Sequence, residues 1–367
     1  MQKKKDNTLL FTLEYPPFKG GVASVYGNIV EYWSGEITVL TGDKLLKPHW
    51  LFALLRLWRA VRKNKARTVL VGHLLPLGTV TWLLAKIVNI RYTVFLHGMD
   101  FAQAVGVARK KKLARRILRD AERIIAMNSY TAGLVQREFG NEIGTKVVVV
   151  NPGVNLEISN KNAEIIKRLE ERYNLKNKII LLQVGRLVER KGVDKVLEAL
   201  PAVAKECPDL VYVIVGTGPE QKNYELRIKN DELCDNVFLI TDADDAEVNA
   251  WYDLCDIFIM ISREINGDFE GFGIVYLEAN AHGKPVVAGD SGGVRDAVKN
   301  DLTGLLVNPE SADEIKNAII KLYHDEFLRR RLGQRGREWV KSFEWREQVE
   351  KMQKILDLSA RGGSALS

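Results

Sequence analysis

Residues 178–215 read KIILLQVGRLVERKGVDKVLEALPAVAKECPDLVYVIV. An apolar run, Lys178–Val184, stops at Gly185. A polar stretch bracketed by Gly185 and Gly192 follows. Val193–Lys205 then takes up a helical period, and Val211–Val215 is apolar again. The order is strand, loop, helix, strand, which joins two parallel strands through a crossover helix. Both strands are apolar along their whole length, as expected where helices cover both faces of a sheet.

The same alternation extends in both directions. Downstream, strands are predicted at Val237–Ile240, Ile257–Ile261, Pro285–Ala288 and Gly304–Val307, with helices such as Ala312–Tyr323 between them. Upstream they are predicted at Leu9–Leu13, Ile37–Leu40, Val69–Gly72, Tyr92–Leu96, Arg123–Met127 and Lys146–Val150. Two such series imply two doubly wound α/β domains and not one very wide sheet. The length of 367 residues agrees, being more than twice the usual domain of ~150. The expected domains are 1–152 and 153–344. Residues 345–367 are expected to form a helix returning to the first domain, followed by a flexible tail at Gly362–Ser367. Lys161–Tyr173 reads as a charged helix leading into the second domain.

With 46% hydrophobic and 28% charged residues, the chain can bury a large core and remain soluble. Three cysteines, Cys207, Cys234 and Cys255, make neither a disulfide framework nor a zinc site, and a reducing cytosol is expected. The start Met1-Gln2-Lys3-Lys4-Lys5 precedes an apolar run too short for a signal peptide, so a buried first strand is expected. Val69–Ile90 is interrupted by His73, Pro76 and Lys86 and does not read as a membrane span. The net charge of +7 is unevenly divided. Residues 1–150 hold 24 Lys and Arg against 10 Asp and Glu, a balance of +14, which leaves −7 for the remainder.

Doubly wound sheets bind ligands at the carboxyl ends of their strands, in loops that lead to helix N-termini. Two such loops carry chemistry. In Phe269-Glu270-Gly271-Phe272-Gly273-Ile274, two glycines follow a carboxylate and open a helix that contains Glu278. Glycines there let backbone N–H groups approach an anion at the positive end of the helix. Glu278 suits a vicinal diol and Glu270 sugar hydroxyls. In the loop Gly185–Gly192, Arg186 offers a planar fork and Lys191 a point charge, a pair suited to a diphosphate. The combination points to a nucleotide that bears a hydroxyl-rich group. No Gly-x-Gly-x-x-Gly follows the first strand and no Walker loop is present, which disfavours a Rossmann dehydrogenase.

These segments resemble the retaining glycosyltransferases of family four, and the resemblance covers nearly the whole chain. Glu270 and Glu278 match that family's Glu-seven-residues-Glu motif, and Arg186 and Lys191 match its diphosphate-binding pair. Pro16-Pro17-Phe18-Lys19-Gly20-Gly21 looks like its N-terminal glycine loop, placed beside the donor phosphates and the acceptor. His97-Gly98-Met99-Asp100 looks like its His-Gly motif, whose histidine approaches the transferred sugar. Asn151-Pro152-Gly153-Val154 resembles its linking turn. Val215-Gly216-Thr217-Gly218-Pro219 resembles its second glycine loop, with Thr217 replacing the usual acid.

The resemblance implies the GT-B fold, two Rossmann-like doubly wound parallel-sheet domains facing an interdomain cleft. It implies a nucleotide-sugar donor as substrate and no cofactor. The implied catalytic residues are His97, Arg186, Lys191 and Glu270. The implied donor-binding residues are Gly20, Gly21, Gly185, Gly216, Gly271, Phe272, Gly273, Ile274 and Glu278, with Met99 and Asp100 on the acceptor side. Within the family, EGFGIVYLEANAHGKPVVAGDSGG (270–293) looks closest to GDP-mannose-dependent transferases acting on phosphatidylinositol mannosides. A UDP-sugar enzyme and a non-catalytic binding module are the alternatives.

No metal is required by this motif set. Asp242-Ala243-Asp244 fits a metal-binding Asp-x-Asp pattern, but its position before the helical stretch Asp245–Tyr252 favours a helix cap. The basic half has two notable helices. Arg56, Arg59 and Lys63 share a face in 50–63, and 107–123 carries Lys110, Lys111, Lys112, Arg115, Arg116 and Arg119. Such helices fit an anionic membrane surface. No nucleic-acid recognition motif accompanies them. A cytoplasmic protein, peripheral on the inner face of the membrane, is the expectation.

Overall fold

The computed structural model describes residues 7–18, 20–41, 50–156, 162–231, 233 and 235–360. Residues 1–5, Lys19, Lys161, Cys234 and the tail Gly362–Ser367, all used above, lie outside that set. The chain divides into two units, one of Met1–Gly153 with Trp345–Ser367 and one of Val154–Glu344.

The first unit runs β1 (Thr8–Thr12), α1 (Gly21–Glu31), β2 (Ile37–Thr41), α2 (Trp50–Asn64), β3 (Thr68–Val71), α3 (Leu77–Ala85) and β4 (Arg91–Leu96). It continues with α4 (Met99–Val105), α5 (Ala108–Asp120), β5 (Arg123–Ala126), α6 (Ser129–Phe139), α7 (Asn141–Gly144) and β6 (Val147–Val149). The second unit opens with α8 (Ala163–Arg172), β7 (Ile179–Val184), α9 (Val193–Glu206), β8 (Leu210–Val215), α10 (Gln221–Asn230) and β9 (Val237–Ile240). Then come α11 (Asp245–Leu254), β10 (Ile257–Met260), α12 (Ile274–Ala281), β11 (Val286–Gly289), α13 (Val294–Ala297) and β12 (Gly304–Val307). It ends with α14 (Ala312–His324) and α15 (Glu326–Val340); α16 (Trp345–Ala360) belongs to the first unit.

Each sheet has six strands, in the orders β2-β1-β3-β4-β5-β6 and β12-β11-β10-β7-β8-β9, and every pairing is parallel. All twelve predicted strands are present, with ends shifted by at most one residue. The burial behind this is direct. β8 is buried at every position, while edge strand β2 is half-buried throughout. Alternate residues of β7 serve opposite faces. Leu181 joins Val196, Leu200 and Ile319 on one face, and Ile180 and Leu182 join Trp251, Tyr276 and Leu277 on the other.

The strand orders fix where chemistry can sit. Order reverses between β1 and β3 in the first sheet and between β7 and β10 in the second. Loops leaving neighbouring strands in opposite directions open a crevice at their carboxyl ends. His73 follows β3, Gly185–Gly192 follows β7, and the Glu270 loop follows β10.

Candidate active site

In the second unit the two loops at the switch point are tied together before any ligand is considered. Arg263, nearly buried at 6% exposure, forms a two-pronged pair with Asp194 at 3.0 and 2.8 Å and reaches Glu189 at 3.2 Å. Its backbone N–H donates to the Arg190 carbonyl at 2.9 Å. From beneath, Gln183 of β7 donates to the Lys191 carbonyl at 3.1 Å and accepts from the Tyr212 hydroxyl. The cationic loop is therefore held by β7, β8 and the loop after β10.

Glu270 sits at the centre. Its Oε2 accepts from Lys191 Nζ at 2.5 Å, from Arg190 Nη1 at 2.9 Å and from Ser262 Oγ at 3.3 Å. Arg190 also pairs with Asp268 at 3.1 Å. Burial pushes the Glu270 carboxyl up, but the Lys191 and Arg190 charges and hydrogen bonds outweigh it and hold it at about 2. Three donors converge on one oxygen, and Oε1 accepts from no described residue. The chemical result is an ionised carboxylate with one oxygen anchored and the other available to hydroxyl groups. Its negative charge is shared by two cations, so it is a weak base and a weak nucleophile.

Around it the loop geometry is set by glycine. Gly273 caps α12 at φ 77, and a Cβ there would strike the Tyr276 ring. The Tyr276 N–H turns back to the Gly273 carbonyl at 3.0 Å, and the amides of Gly273 and Ile274 donate to no backbone carbonyl among the described residues. Gly216, at φ 146, lies against Gly185, whose carbonyl a Cβ would strike. One turn into α12, Glu278 accepts from the Tyr252 hydroxyl at 2.8 Å. Burial raises its carboxyl, with the Tyr252 bond and the Lys191 charge pulling it back. Arg186 is exposed and unpaired among the described residues, a free guanidinium fork.

The first unit carries its own cluster at the ends of β1, β3 and β4. His97 follows β4, and its Nε2 lies 2.6 Å from the hydroxyl of Tyr26. His73 faces Glu14 with Nε2 3.8 Å from Oε1, and its ring centroid is 6.0 Å from that of His97. Gly20 is the N-cap of α1 and Gly21 its first residue, with nothing within 4 Å of a Cβ at Gly21. Met99 opens α4.

The structure gives several of the expected residues partners within the protein. Asp100, expected on the acceptor side, turns Oδ1 inward to accept from the backbone of His97 at 3.0 Å and Gly98 at 3.1 Å. A short carboxylate four residues beyond the end of β4 captures the free backbone amides of the intervening turn readily. Phe272 is expected with the donor-binding residues, but its side chain is 4% exposed and packs on Phe343. The basic stretch 107–123 narrows to α5, where Lys111, Arg115 and Arg119 are taken up by Glu138, Glu142 and Asp120. The exposed remainder includes Arg109, Lys112 and Arg116, unpaired among the described residues. Arg190, Ser262, Arg263, Tyr252 and Tyr26 were not anticipated. Of these only Arg190 had a signal, its place beside Lys191. Asp244 does cap α11, accepting from the Glu247 N–H at 2.8 Å. Among the described residues no group of three or more His, Cys, Asp or Glu is placed to hold a metal ion.

Comparison with known proteins agrees with both halves. Residues 8–158 match the model of Glycosyltransferase Family 4, and residues 165–339 match that of Glycosyl transferases group 1. The GDP-mannose-dependent alpha-(1-6)-phosphatidylinositol monomannoside mannosyltransferase of Mycolicibacterium smegmatis is 28% identical, across 95% of this chain and 97% of that one. Its namesake from Mycobacterium tuberculosis is also 28% identical, across 92% and 94%. Among solved structures, Anabaena Alr3699/HepE in complex with UDP superposes with a TM-score of 0.80 at 18% identity, covering 96% of this chain and 99% of that one. Sucrose-phosphate synthase from Thermosynechococcus elongatus gives 0.75 at 21% identity, covering 97% and 100%.

Proposed function

Because the chain is a glycosyltransferase of the GT-B type, with residues 8–158 belonging to Glycosyltransferase Family 4 and residues 165–339 to the group 1 glycosyl transferases, we propose that it transfers mannose from GDP-mannose, with retention, to a hydroxyl of a lipid-linked or saccharide acceptor. The observation that carries this reading is the Glu270 clamp. A carboxylate held at about 2 and shared by Lys191 and Arg190 is made for accepting hydrogen bonds from a sugar and not for taking its protons. The bond from the anomeric carbon to the phosphate oxygen breaks with its electron pair going to the phosphate. Arg186, Lys191 and the amides of Gly273 and Ile274 stabilise that charge. The acceptor oxygen bonds to the anomeric carbon on the same face, and its proton passes to the departing phosphate. Glu270 Oε1 accepts from sugar hydroxyls, Glu278 from the ribose diol, and His97 contacts the sugar. Gly20, Gly21, Gly185, Gly216 and Gly271 give the phosphates room. The mannosyl preference draws support from the relatives at 28% identity.

A donor panel of GDP-mannose, UDP-glucose and UDP-N-acetylglucosamine, with and without EDTA, tests the reading. GDP release from GDP-mannose, unaffected by EDTA, is expected. Release of UDP alone replaces the donor with a UDP-sugar, and loss of turnover in EDTA ends the metal-free mechanism.

The acceptor side carries a surface suited to a membrane. Phe52 (62% exposed) and Leu55 (44%) lie on one side of α2 with Arg56, Arg59 and Lys63, and the helix holds no acidic residue. Those three cations are exposed and unpaired among the described residues. No described helix is long and apolar enough to cross a membrane. Attachment at the cytoplasmic face, with apolar residues dipping among lipid headgroups, fits this helix. Each cation near an anionic surface contributes ~1 kcal/mol. Changing all three to Gln is expected to weaken binding to phosphatidylserine vesicles ~100-fold at low salt. Equal binding by the triple variant and the parent would discard the membrane assignment.

A further inference from the structure

Tyr26 is a fully buried residue of α1 with no part in the transfer described above. Its hydroxyl lies 2.6 Å from the carbonyl oxygen of Gly72 and 2.6 Å from Nε2 of His97. A phenol has one proton. A carbonyl can only accept, so that proton is committed to Gly72 and the phenol oxygen meets the imidazole as an acceptor. His97 must then carry its own proton on Nε2, leaving a lone pair on Nδ1.

Three further observations agree. Burial lowers the His97 ring to about 4, against the pull of Asp100, Glu14 and the Gly72 carbonyl and with the push of His73, so at neutral pH the ring has a single proton to place. Burial, and then the charges of Asp100 and Glu14, raise the Tyr26 phenol well above its ordinary range, so it stays protonated. Gly72 has no room for a side chain: a Cβ would stand 2.8 Å from Thr12 and 3.0 Å from the Tyr26 ring. Only glycine allows the phenol to reach that carbonyl. The groups facing His97 are thus Glu14 after β1, Tyr26 of α1, the Gly72 carbonyl and His73 after β3, and Asp100 of α4. The two rings meet edge to face at 5.4 Å and 86°.

We propose that Tyr26 is a positioning residue that holds His97 as the Nε2–H tautomer, so that Nδ1 meets the substrate as a hydrogen-bond acceptor for a sugar hydroxyl. This rests on the reading of His97 as a sugar contact. It adds a direction: the imidazole takes a hydrogen bond from the sugar and gives none, which selects a hydroxyl at that position over an ether or a carbonyl oxygen. Which nitrogen holds the proton can govern an active-site imidazole strongly, and a wrong tautomer in a proton-transferring site costs ~10⁴. Here no proton moves through the ring, and a loss of ~10-fold, the worth of one hydrogen bond, is expected for Tyr26→Phe.

The test has two arms on the full chain. Nitrogen-15 NMR of histidine-labelled protein, with His97→Ala to assign its signals among the five histidines, reads the tautomer without any ligand. Nε2 is expected protonated and Nδ1 bare in the parent, with a shift toward the other tautomer in Tyr26→Phe. A parent ring protonated on Nδ1 overturns the proposal whatever the enzyme's donor. The second arm compares turnover of GDP-mannose by His97→Asn, whose amide oxygen can stand where Nδ1 stood, and His97→Gln, whose amide reaches the Nε2 position. Asn is expected to retain about 10-fold more activity than Gln; equal loss or the reverse order overturns the Nδ1 assignment. Full turnover by His97→Ala, with the parent tautomer as assigned, instead removes the sugar contact and the positioning role that depends on it.

Discussion

Replacing Lys191 by methionine is expected to lower kcat by ~10²–10³, the usual result of removing one fixed donor from a site of developing negative charge. The side chain is 12% exposed, and one of its three ammonium protons is engaged by Glu270. Two remain, and in the proposed transfer they face the donor diphosphate. Arg is not an equivalent replacement, because its planar fork cannot occupy a point-charge position between two acceptors. Steady-state kinetics with the donor identified by the panel gives the measurement. Turnover indistinguishable from the parent would reduce Lys191 to a structural counter-ion.

The second large effect concerns stability. Glu270→Gln keeps the shape of the side chain and leaves Arg190 and Lys191 without their shared anion. Glu270 is 9% exposed and its partners 22% and 12%, so solvent screens the interaction little. A carboxyl held at about 2 in the folded chain and near 4.5 in the unfolded one contributes about 3 kcal/mol of stability at neutral pH. Because the folded value is the lower one, that contribution is complete above the unfolded value and disappears as pH falls toward 2. The variant is expected to be about 3 kcal/mol less stable than the parent at pH 7, with the gap closing progressively below pH ~5. Urea unfolding of both proteins between pH 7 and 3 measures it. Parallel stability curves across that range would mean that Glu270 is not the group that titrates.

The strands were legible because parallel strands covered on both faces must be apolar throughout, and short apolar runs alternate with longer segments of helical period along the chain. Val69–Gly72 shows the limit of that legibility. The strand ends at Val71, since Gly72 gives its carbonyl to a tyrosine 46 residues earlier and not to a neighbouring strand. Glu270, Lys191 and Arg186 could be found from punctuation, each lying next to a glycine: Arg186 where β7 ends, Lys191 and Glu270 in the loops that lead into α9 and α12. Tyr26 could not. In sequence it is one more apolar-face residue of an amphipathic helix, and only the fold brings it to His97, 71 residues away. The pairing of α5 was hidden for the same reason, its acidic partners Glu138 and Glu142 lying 27 residues downstream on other helices.

The first unit is discontinuous along the chain, and this bears on its synthesis. Trp345, Val349 and Met352 of α16 are buried, Gln353 exchanges hydrogen bonds with Ser34, and Gly153 has no room for a Cβ beside Trp345. All of these contacts complete the unit that leaves the ribosome first, yet they come from its last stretch. At ~5–20 residues per second, roughly 10–40 s separate the emergence of Gly153 from that of Trp345. Over that interval the α16-binding surface of α1 has no α16 to cover it, while the second unit, continuous in sequence, can fold without waiting. The half made first is the half finished last, and that exposed surface is where a chaperone would be needed.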